Sequence, residues 1–395
     1  MNTEEIRKDY PLIAEGIIYL DNTASTLTPK QVMQAVNEYY LEYRANIHRG
    51  VYELSQKASE EYDKARIKTA AHINASPREL IFNRNTTEGI NQIALSLELN
   101  KGDKILTTSI EHHSNLLPWL NQTKKGVQIE YIHPTSEGLF DPSQFEEKIS
   151  ENTKLVAVTH ISNVLGVINP VEEIARICRE KNTMLLIDGA QAVPHIQVDV
   201  EKIGCDFYAF SGHKMLAPTG IGALYIRKEL MDELTPIYGG GGIISDVSLN
   251  DYTLTDHPIS WEAGTPNISG AIGLGKAVDY LKKIGYDKIQ YHEKKLTKQL
   301  LEGLIDMKNI RIHGPIDDKN KACIVSYTME NMKSDDMAGI LDARERICVR
   351  SGTHCAMPLF KNILKTKDSI RASAYIYNTR EEIEKMLRVL DDYRV

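Results

Sequence analysis

Short apolar runs alternate with amphipathic stretches from about residue 60 to about residue 280. The runs cover residues 80–82, 104–108, 155–159, 184–187, 207–210 and 223–226. Several are nearly continuous in Val, Ile and Leu, the pattern of strands covered on both faces. Between them lie segments such as 170–181, where Ile174, Ala175 and Cys178 share one helical face. This rhythm predicts an α/β domain built on a mainly parallel sheet. Upstream, Thr28 reads as the cap and Pro29 as the first turn of a helix whose apolar stripe is Val32, Val36, Tyr39, Tyr40 and Tyr43. After about residue 285 the pattern changes. A helix with Leu296, Leu300 and Leu304 inward precedes strand-like segments at 324–327, 347–349 and 372–377. A last helix opens with Thr379-Arg-Glu-Glu382, the spacing of a capping box, and buries Ile383, Met386, Leu387 and Leu390. The expected organisation is an N-terminal arm (1–25) packed with the small domain, a large α/β domain (26–285) and a small α+β domain (286–395).

Composition narrows the function classes. The 395 residues are 42% hydrophobic and 26% charged, enough for a large core and unlike a disordered chain. A formal charge of −7 argues against a general nucleic-acid binder, which needs Lys and Arg in excess. No run approaches the ~18 apolar residues of a membrane span. The start, MNTEEIRKDYPLI, lacks the apolar core of a signal peptide, so a cytoplasmic protein is expected. The five cysteines are widely spaced and form no C-x-x-C, which predicts neither a disulfide framework nor a metal site. Cys178, Cys205, Cys323 and Cys348 adjoin apolar runs and read as core. Cys355 sits in the polar, Gly-containing segment Arg350-Ser-Gly-Thr-His-Cys-Ala356, where a thiol is expected to be exposed and is a candidate for reactivity. The run Gly239-Gly-Gly-Gly242 does not fit a dinucleotide fingerprint and reads as a loop.

Chemistry concentrates in a few segments. In Phe207-Tyr-Ala-Phe-Ser-Gly-His-Lys214 an apolar strand runs straight into a lysine. Such a lysine either reaches solvent or is neutral, paired or covalently modified; a desolvated lysine suits Schiff-base chemistry. Twenty-six residues upstream, another strand ends in Asp188-Gly-Ala-Gln191. A carboxylate at a parallel strand's carboxyl end points into the ligand crevice, and there it can hold a pyridinium nitrogen cationic or merely cap a helix. Pyridoxal 5′-phosphate (PLP) explains Lys214 and Asp188 together. Its phosphate would need an anion site, and Asn85-Thr86-Thr87-Glu88-Gly89-Ile90 offers hydroxyls and backbone N–H groups at a helix start, with Ser211 and His213 in reach. Ordinary capping explains that turn as well. In Glu111-His112-His113 the adjacent imidazoles point apart, which disfavours chelation; one could stack on a ring or be simply capped.

Together these segments resemble fold-type I PLP enzymes of the class V aminotransferase group, and within it the SufS-type (group II) cysteine desulfurases, whose bacterial members also act on selenocysteine. The likeness runs along the whole chain. It takes in Tyr19-Leu-Asp-Asn22, His48-Arg-Gly50, Thr86-Thr-Glu-Gly-Ile-Asn91, Glu111-His-His113, Pro118-Trp119 and Thr159-His-Ile-Ser-Asn-Val-Leu-Gly166. It continues through Asp188-Gly-Ala-Gln-Ala192, Ser211-Gly-His-Lys214, Glu262-Ala-Gly-Thr-Pro-Asn267, Arg350-Ser-Gly-Thr-His-Cys-Ala-Met-Pro358 and Arg371-Ala-Ser. The resemblance implies a homodimer in which Lys214 is the Schiff-base lysine and proton shuttle. Asp188 would pair with the ring nitrogen, Gln191 would bond the ring oxygen, and His112 would stack on the ring. Thr86, Thr87, Ser211 and His213 would hold the phosphate, with Thr265 reaching the other subunit's. Arg371 and Asn163 would bind the substrate carboxylate, beside Arg350 and His48, and Cys355 would take the sulfur. The implied substrate is L-cysteine, or L-selenocysteine, and the implied partner is a sulfur acceptor of iron–sulfur assembly. Ser351, Asn22-Thr23 and the Lys-rich stretch after Cys355 depart from the usual pattern; the last bears on which acceptor is met. The rivals are a selenocysteine lyase, a kynureninase-like hydrolase, an epimerase, a non-catalytic assembly scaffold and a PLP-free binding protein. Cys355 argues against the hydrolase and the epimerase.

Overall fold

The computed structural model describes residues 1–135 and 137–393. After a short N-terminal strand, β1 (Ile18–Tyr19), the chain lays down β2 (Leu80–Asn83), β3 (Lys104–Thr108), β4 (Gln128–Ile132) and β5 (Thr153–Thr159). β6 (Met184–Asp188), β7 (Phe207–Ser211) and β8 (Gly222–Ile226) complete a seven-stranded sheet of order β2-β8-β7-β6-β5-β3-β4. Its pairs are parallel except those made by β8, which runs against both its neighbours. The apolar runs are strands because both faces are covered. Ile105, Leu155, Leu186, Phe207 and Leu224 point to a core shared with the helix Thr86–Ser96 and Trp119. Their neighbours Leu106, Val156, Leu185, Tyr208 and Ala223 point to the opposite core, with the helices Glu53–His72, Val171–Glu180 and Ile268–Ile284.

A hairpin of β9 (Ile244–Val247) and β10 (Tyr252–Leu254) stands apart. The last third of the chain forms a second, antiparallel sheet of order β11-β12-β15-β14, from β11 (Ile310–His313), β12 (Ile324–Met329), β14 (Arg350–Gly352) and β15 (Ser369–Ser373). β13 (Ile347–Cys348) pairs with β1 instead. A separate core, with Leu296, Leu300, Tyr327, Ile383 and Met386, fills this unit and takes in Ile18 and Leu20 of the N-terminal arm.

Several local expectations shift. Pro29, not Thr28, is the N-cap of the helix Lys30–Glu42, and no side chain caps it. Tyr40, placed on that helix's apolar stripe, is exposed. β15 ends at Ser373, four residues before the expected end at 377, because Asn378 Oδ1 accepts the Tyr375 N–H (2.8 Å) and turns the chain. β4 and β11 escaped the apolar-run pattern because each is an edge strand with partly solvated positions. Cys178, Cys205 and Cys323 are buried, Cys348 is half-buried and Cys355 is exposed, each as a free thiol. Among the described residues no helix is long and apolar enough to cross a membrane, and no group of three or more His, Cys, Asp or Glu side chains could hold a metal ion.

Candidate active site

The carboxyl ends of β3, β5, β6 and β7 open on one cleft, the place where open parallel sheets bind ligands. Asp188 is the last residue of β6 and Ser211 the last of β7. Beyond Ser211 a single 3-10 turn, Gly212–Lys214, carries the lysine into the cleft. Gly212 permits that turn, since a Cβ there would sit 2.9 Å from the Ile221 carbonyl oxygen. Gly189 has the same role after Asp188, where a Cβ would run into the Tyr208 ring.

The electrostatics suit an imine-forming amine. Burial pulls the Lys214 pKa down to about 8, with Asp188 opposing the shift. Asp188 accepts the Ala190 N–H (3.0 Å), and burial raises its pKa while Lys214 lowers it. Burial, then the Lys214 charge, takes His112 down to about 3, so its ring is neutral. His112 Nδ1 accepts the Ser114 N–H (3.1 Å), which leaves the ring proton on Nε2. His213 is likewise lowered, to about 4, and its Nδ1 lies 3.2 Å from Ser25 Oγ.

Hydroxyls gather at the start of the helix Thr86–Ser96. Ser211 Oγ accepts the Thr86 N–H (2.9 Å) and lies 2.7 Å from Thr86 Oγ1. Thr87 Oγ1 lies 2.7 Å from Ser114 Oγ. The positive end of the helix dipole and these rotatable donors form an anion site.

The opposite wall comes from the small sheet. Arg371 on β15 faces Arg350 on β14. Arg371 is buried, donating Nη1 to the Asn163 carbonyl (3.0 Å) and Nη2 to Asp21 Oδ1 (3.1 Å), while its Nε is left without a partner. Burial lowers its pKa to about 10, which leaves it charged at neutral pH. Asn163 Nδ2 in turn donates to the His354 carbonyl (2.8 Å). Cys355 is exposed at the mouth, and both it (φ 58°) and His354 (φ 49°) hold left-handed backbone.

Of the expected site residues, Thr86, Thr87, His112, Asn163, Asp188 and Gln191 line this cleft, together with Ser211, His213, Lys214, Arg350, Cys355 and Arg371. His48 and Thr265 do not; they line a separate cleft with Arg49 and Glu262. Three participants carried no assigned role in the sequence. Asp21 pairs with Arg371, Thr23 accepts a hydrogen bond from Gln191, and buried Glu111 ties the ends of β3 and β5. Asp21 and Glu111 sit in matched segments, which was the available signal; Thr23 was marked only by the Asn22-Thr23 departure from the usual pattern.

Residues 18–386 match the class-V aminotransferase family model. The chain is 49% identical to a probable cysteine desulfurase of Pyrococcus abyssi, over 98% of this chain and 97% of that one. It is 39% identical to a cysteine desulfurase of Haloferax volcanii, over 100% and 97%. Among solved structures, the apo cysteine desulfurase of Thermococcus onnurineus NA1 superposes with a TM-score of 0.96 at 46% identity, covering 99% of this chain and 98% of that one. The cysteine desulfurase CsdA from Escherichia coli gives 0.92 at 30%, with the same coverage. The chain belongs to the class-V aminotransferase family. The fold is that of fold-type I PLP enzymes, and the cleft's donor set fits their cofactor. It offers a lowered amine, a buried carboxylate for a ring nitrogen, and an anion site for a phosphate. The Gln191 side chain donates Nε2 to the Thr23 carbonyl (2.8 Å), which leaves Oε1 buried without a partner. Nε2 carries a second N–H, so Gln191 can donate to an ionised ring oxygen while it keeps its bond to Thr23.

Proposed function

We propose that this cleft removes sulfur from L-cysteine and that Cys355 carries it away as a persulfide. The chain is a PLP-dependent cysteine desulfurase, in keeping with full-length relatives that share that name. When bound, the cofactor supplies an aldehyde for amine condensation and a ring that absorbs electrons from the substrate's Cα. Arg371, already buried and charged, holds the substrate carboxylate beside Asn163, which fixes the Cα–H bond direction. The Lys214 amine takes the Cα proton, and its lowered pKa leaves much of it neutral near pH 8. Asp188 would pair with the ring nitrogen of the bound cofactor and keep it protonated. His112 stays neutral, with a proton available at Nε2. The Cys355 thiolate attacks the substrate sulfur, forming S–S as Cβ–S breaks. The carbon keeps the bonding pair and, once protonated, leaves as L-alanine.

One observation carries this reading: a buried amine and an exposed thiol, 141 positions apart in the sequence, open on the same cleft. The Arg350–Ala356 segment supports the group II assignment, and the exposure of Cys355 supports hand-over to a protein acceptor of iron–sulfur assembly. The placement of His48 and Thr265 away from Lys214 supports a homodimer that brings them to a second copy's cleft. The test uses two variants. Lys214→Ala is expected to lose the cofactor's visible band on dialysis, and Cys355→Ala to keep it while alanine formation falls at least about 10²-fold. A retained band in the first, or full turnover in the second, removes that residue from the mechanism.

A further inference from the structure

Residues 111–114 send four consecutive side chains to four different places. Glu111 Oε1 accepts the Thr108 hydroxyl (2.6 Å) and the Thr159 N–H (3.0 Å), and its Oε2 accepts Asn115 Nδ2 (2.7 Å), fixing the segment to the strand ends. His112 enters the cleft beside Lys214. Ser114 meets Thr87 of the anion site. His113 turns to the cysteine loop. Its N–H donates to the Cys355 carbonyl (2.7 Å), and its ring Nε2 accepts the Met357 N–H (3.1 Å).

That loop needs holding. Two successive non-glycine residues in left-handed backbone cost free energy that neighbouring contacts must offset. The chain then enters a π-helical turn, Leu359–Leu364, itself a less stable form. His354 is tied by its carbonyl to Asn163 and by Nε2 to Ser369 Oγ (3.0 Å). Ala356, Leu359 and Phe360 are anchored by burial in the larger core, and the hydrogen bonds described at Cys355 and Met357 from the other side of the cleft come from His113.

We propose that His113 is a positioning residue for persulfide formation, clasping the turn at Cys355 and Met357 so that the thiol is presented to the cleft that His112 shares. The proposal rests on the reading that Cys355 receives the sulfur. The ring must be neutral, with its proton on Nδ1, for Nε2 to accept; partial burial lowers the His113 pKa and favours that form. Because His113 follows His112 directly, the cysteine turn is registered against the cofactor cleft through one peptide unit.

The test compares holoenzyme with His113→Phe and His113→Gln. Phenylalanine keeps the ring and removes the acceptor; glutamine returns an acceptor oxygen near the Nε2 position. The expected result for His113→Phe is an unchanged cofactor band and a KM for cysteine within about twofold. Its kcat for alanine formation should fall about threefold to tenfold, the worth of one hydrogen bond. Iodoacetamide labelling of Cys355, mapped by peptide mass, should speed up at least about threefold as the turn is released. His113→Gln should restore both rates. Unchanged kcat or unchanged labelling in His113→Phe overturns the proposal, as does a lost cofactor band, since the effect would then run through the cofactor site. Failure of His113→Gln to rescue assigns the effect to ring shape and overturns it too. Cys355→Ala in the same assay separates the underlying reading: normal turnover there removes Cys355 as sulfur carrier, while the labelling of His113→Phe still reports on the clasp.

Discussion

In the proposed reaction the Lys214 amine attacks the cofactor's aldehyde through its lone pair, so its protonation would set how fast the cofactor is captured. Burial brings its pKa to about 8, whereas an exposed lysine titrates near 10.4. Capture by the cofactor-free chain should therefore quicken with pH up to about 8 and flatten above it. Stopped-flow growth of the visible band checks this; a rate still rising tenfold per unit at pH 10 would show that the amine is not desolvated. Lys214 and Asp188 were legible because an apolar strand ending in a charged residue is a local pattern. Asp21 and Thr23 were not, because what makes each of them matter is a hydrogen bond to Arg371 or Gln191, far along the chain. The side-chain orientation of Gln191 was equally hidden, since a backbone carbonyl of the N-terminal arm decides which amide atom is free.

Elements are joined at one point by a buried ion pair that the sequence displayed without explaining. Glu262 Oε1 accepts Arg66 Nη1 (2.6 Å) and the Phe82 N–H (2.6 Å), and its Oε2 accepts Arg66 Nη2 (2.8 Å) and the Tyr62 hydroxyl (2.8 Å). These bonds fasten the helix Glu53–His72, strand β2 and the loop that bears Thr265. Glu262 opens one of the matched segments, yet its contacts are structural and it does not line the cofactor cleft. Glu262→Ala leaves the Arg66 charge buried and unpaired, and is expected to cost about 3–5 kcal/mol. A urea titration reads this directly, and a loss below about 1 kcal/mol would mean that the pair is solvated. The alternation of strands and helices was readable because burial on both faces of a parallel sheet forces continuous apolar runs. Edge strands β4 and β11 are free of that demand, and the cap at Pro29 depends on backbone angles that residue identity leaves open.

At the scale of the molecule, the end of the N-terminal arm joins the small sheet, while Tyr10 and Ile13 of the same arm pack in the larger core. Ile18 and Leu20 enter the small domain's core, β1 pairs with β13, and Asp21 reaches Arg371. A buried His195–Glu293 contact (2.8 Å) then joins this unit to the large one, so the two walls of the cleft are held together. The fold class was evident from the alternation of strands and helices that builds the seven-stranded sheet. A cleft assembled from two copies is beyond any single-chain pattern, and it is there that Thr265 and His48 belong in the proposed dimer. If Thr265 supports the phosphate across the interface, Thr265→Ala homodimers should bind the cofactor about tenfold more weakly, the worth of one charge-assisted hydrogen bond. Mixed dimers with Lys214→Ala chains separate the two geometries. In such a dimer the only intact Lys214 lies on the Thr265→Ala chain, and the only intact Thr265 lies on its partner. Cross-subunit support gives that one site the native affinity, whereas support within a chain leaves it as weak as the Thr265→Ala homodimer. Differentially tagged, purified mixed dimers titrated with the cofactor discriminate the two, and a weak site in them would place Thr265 outside its partner's cleft.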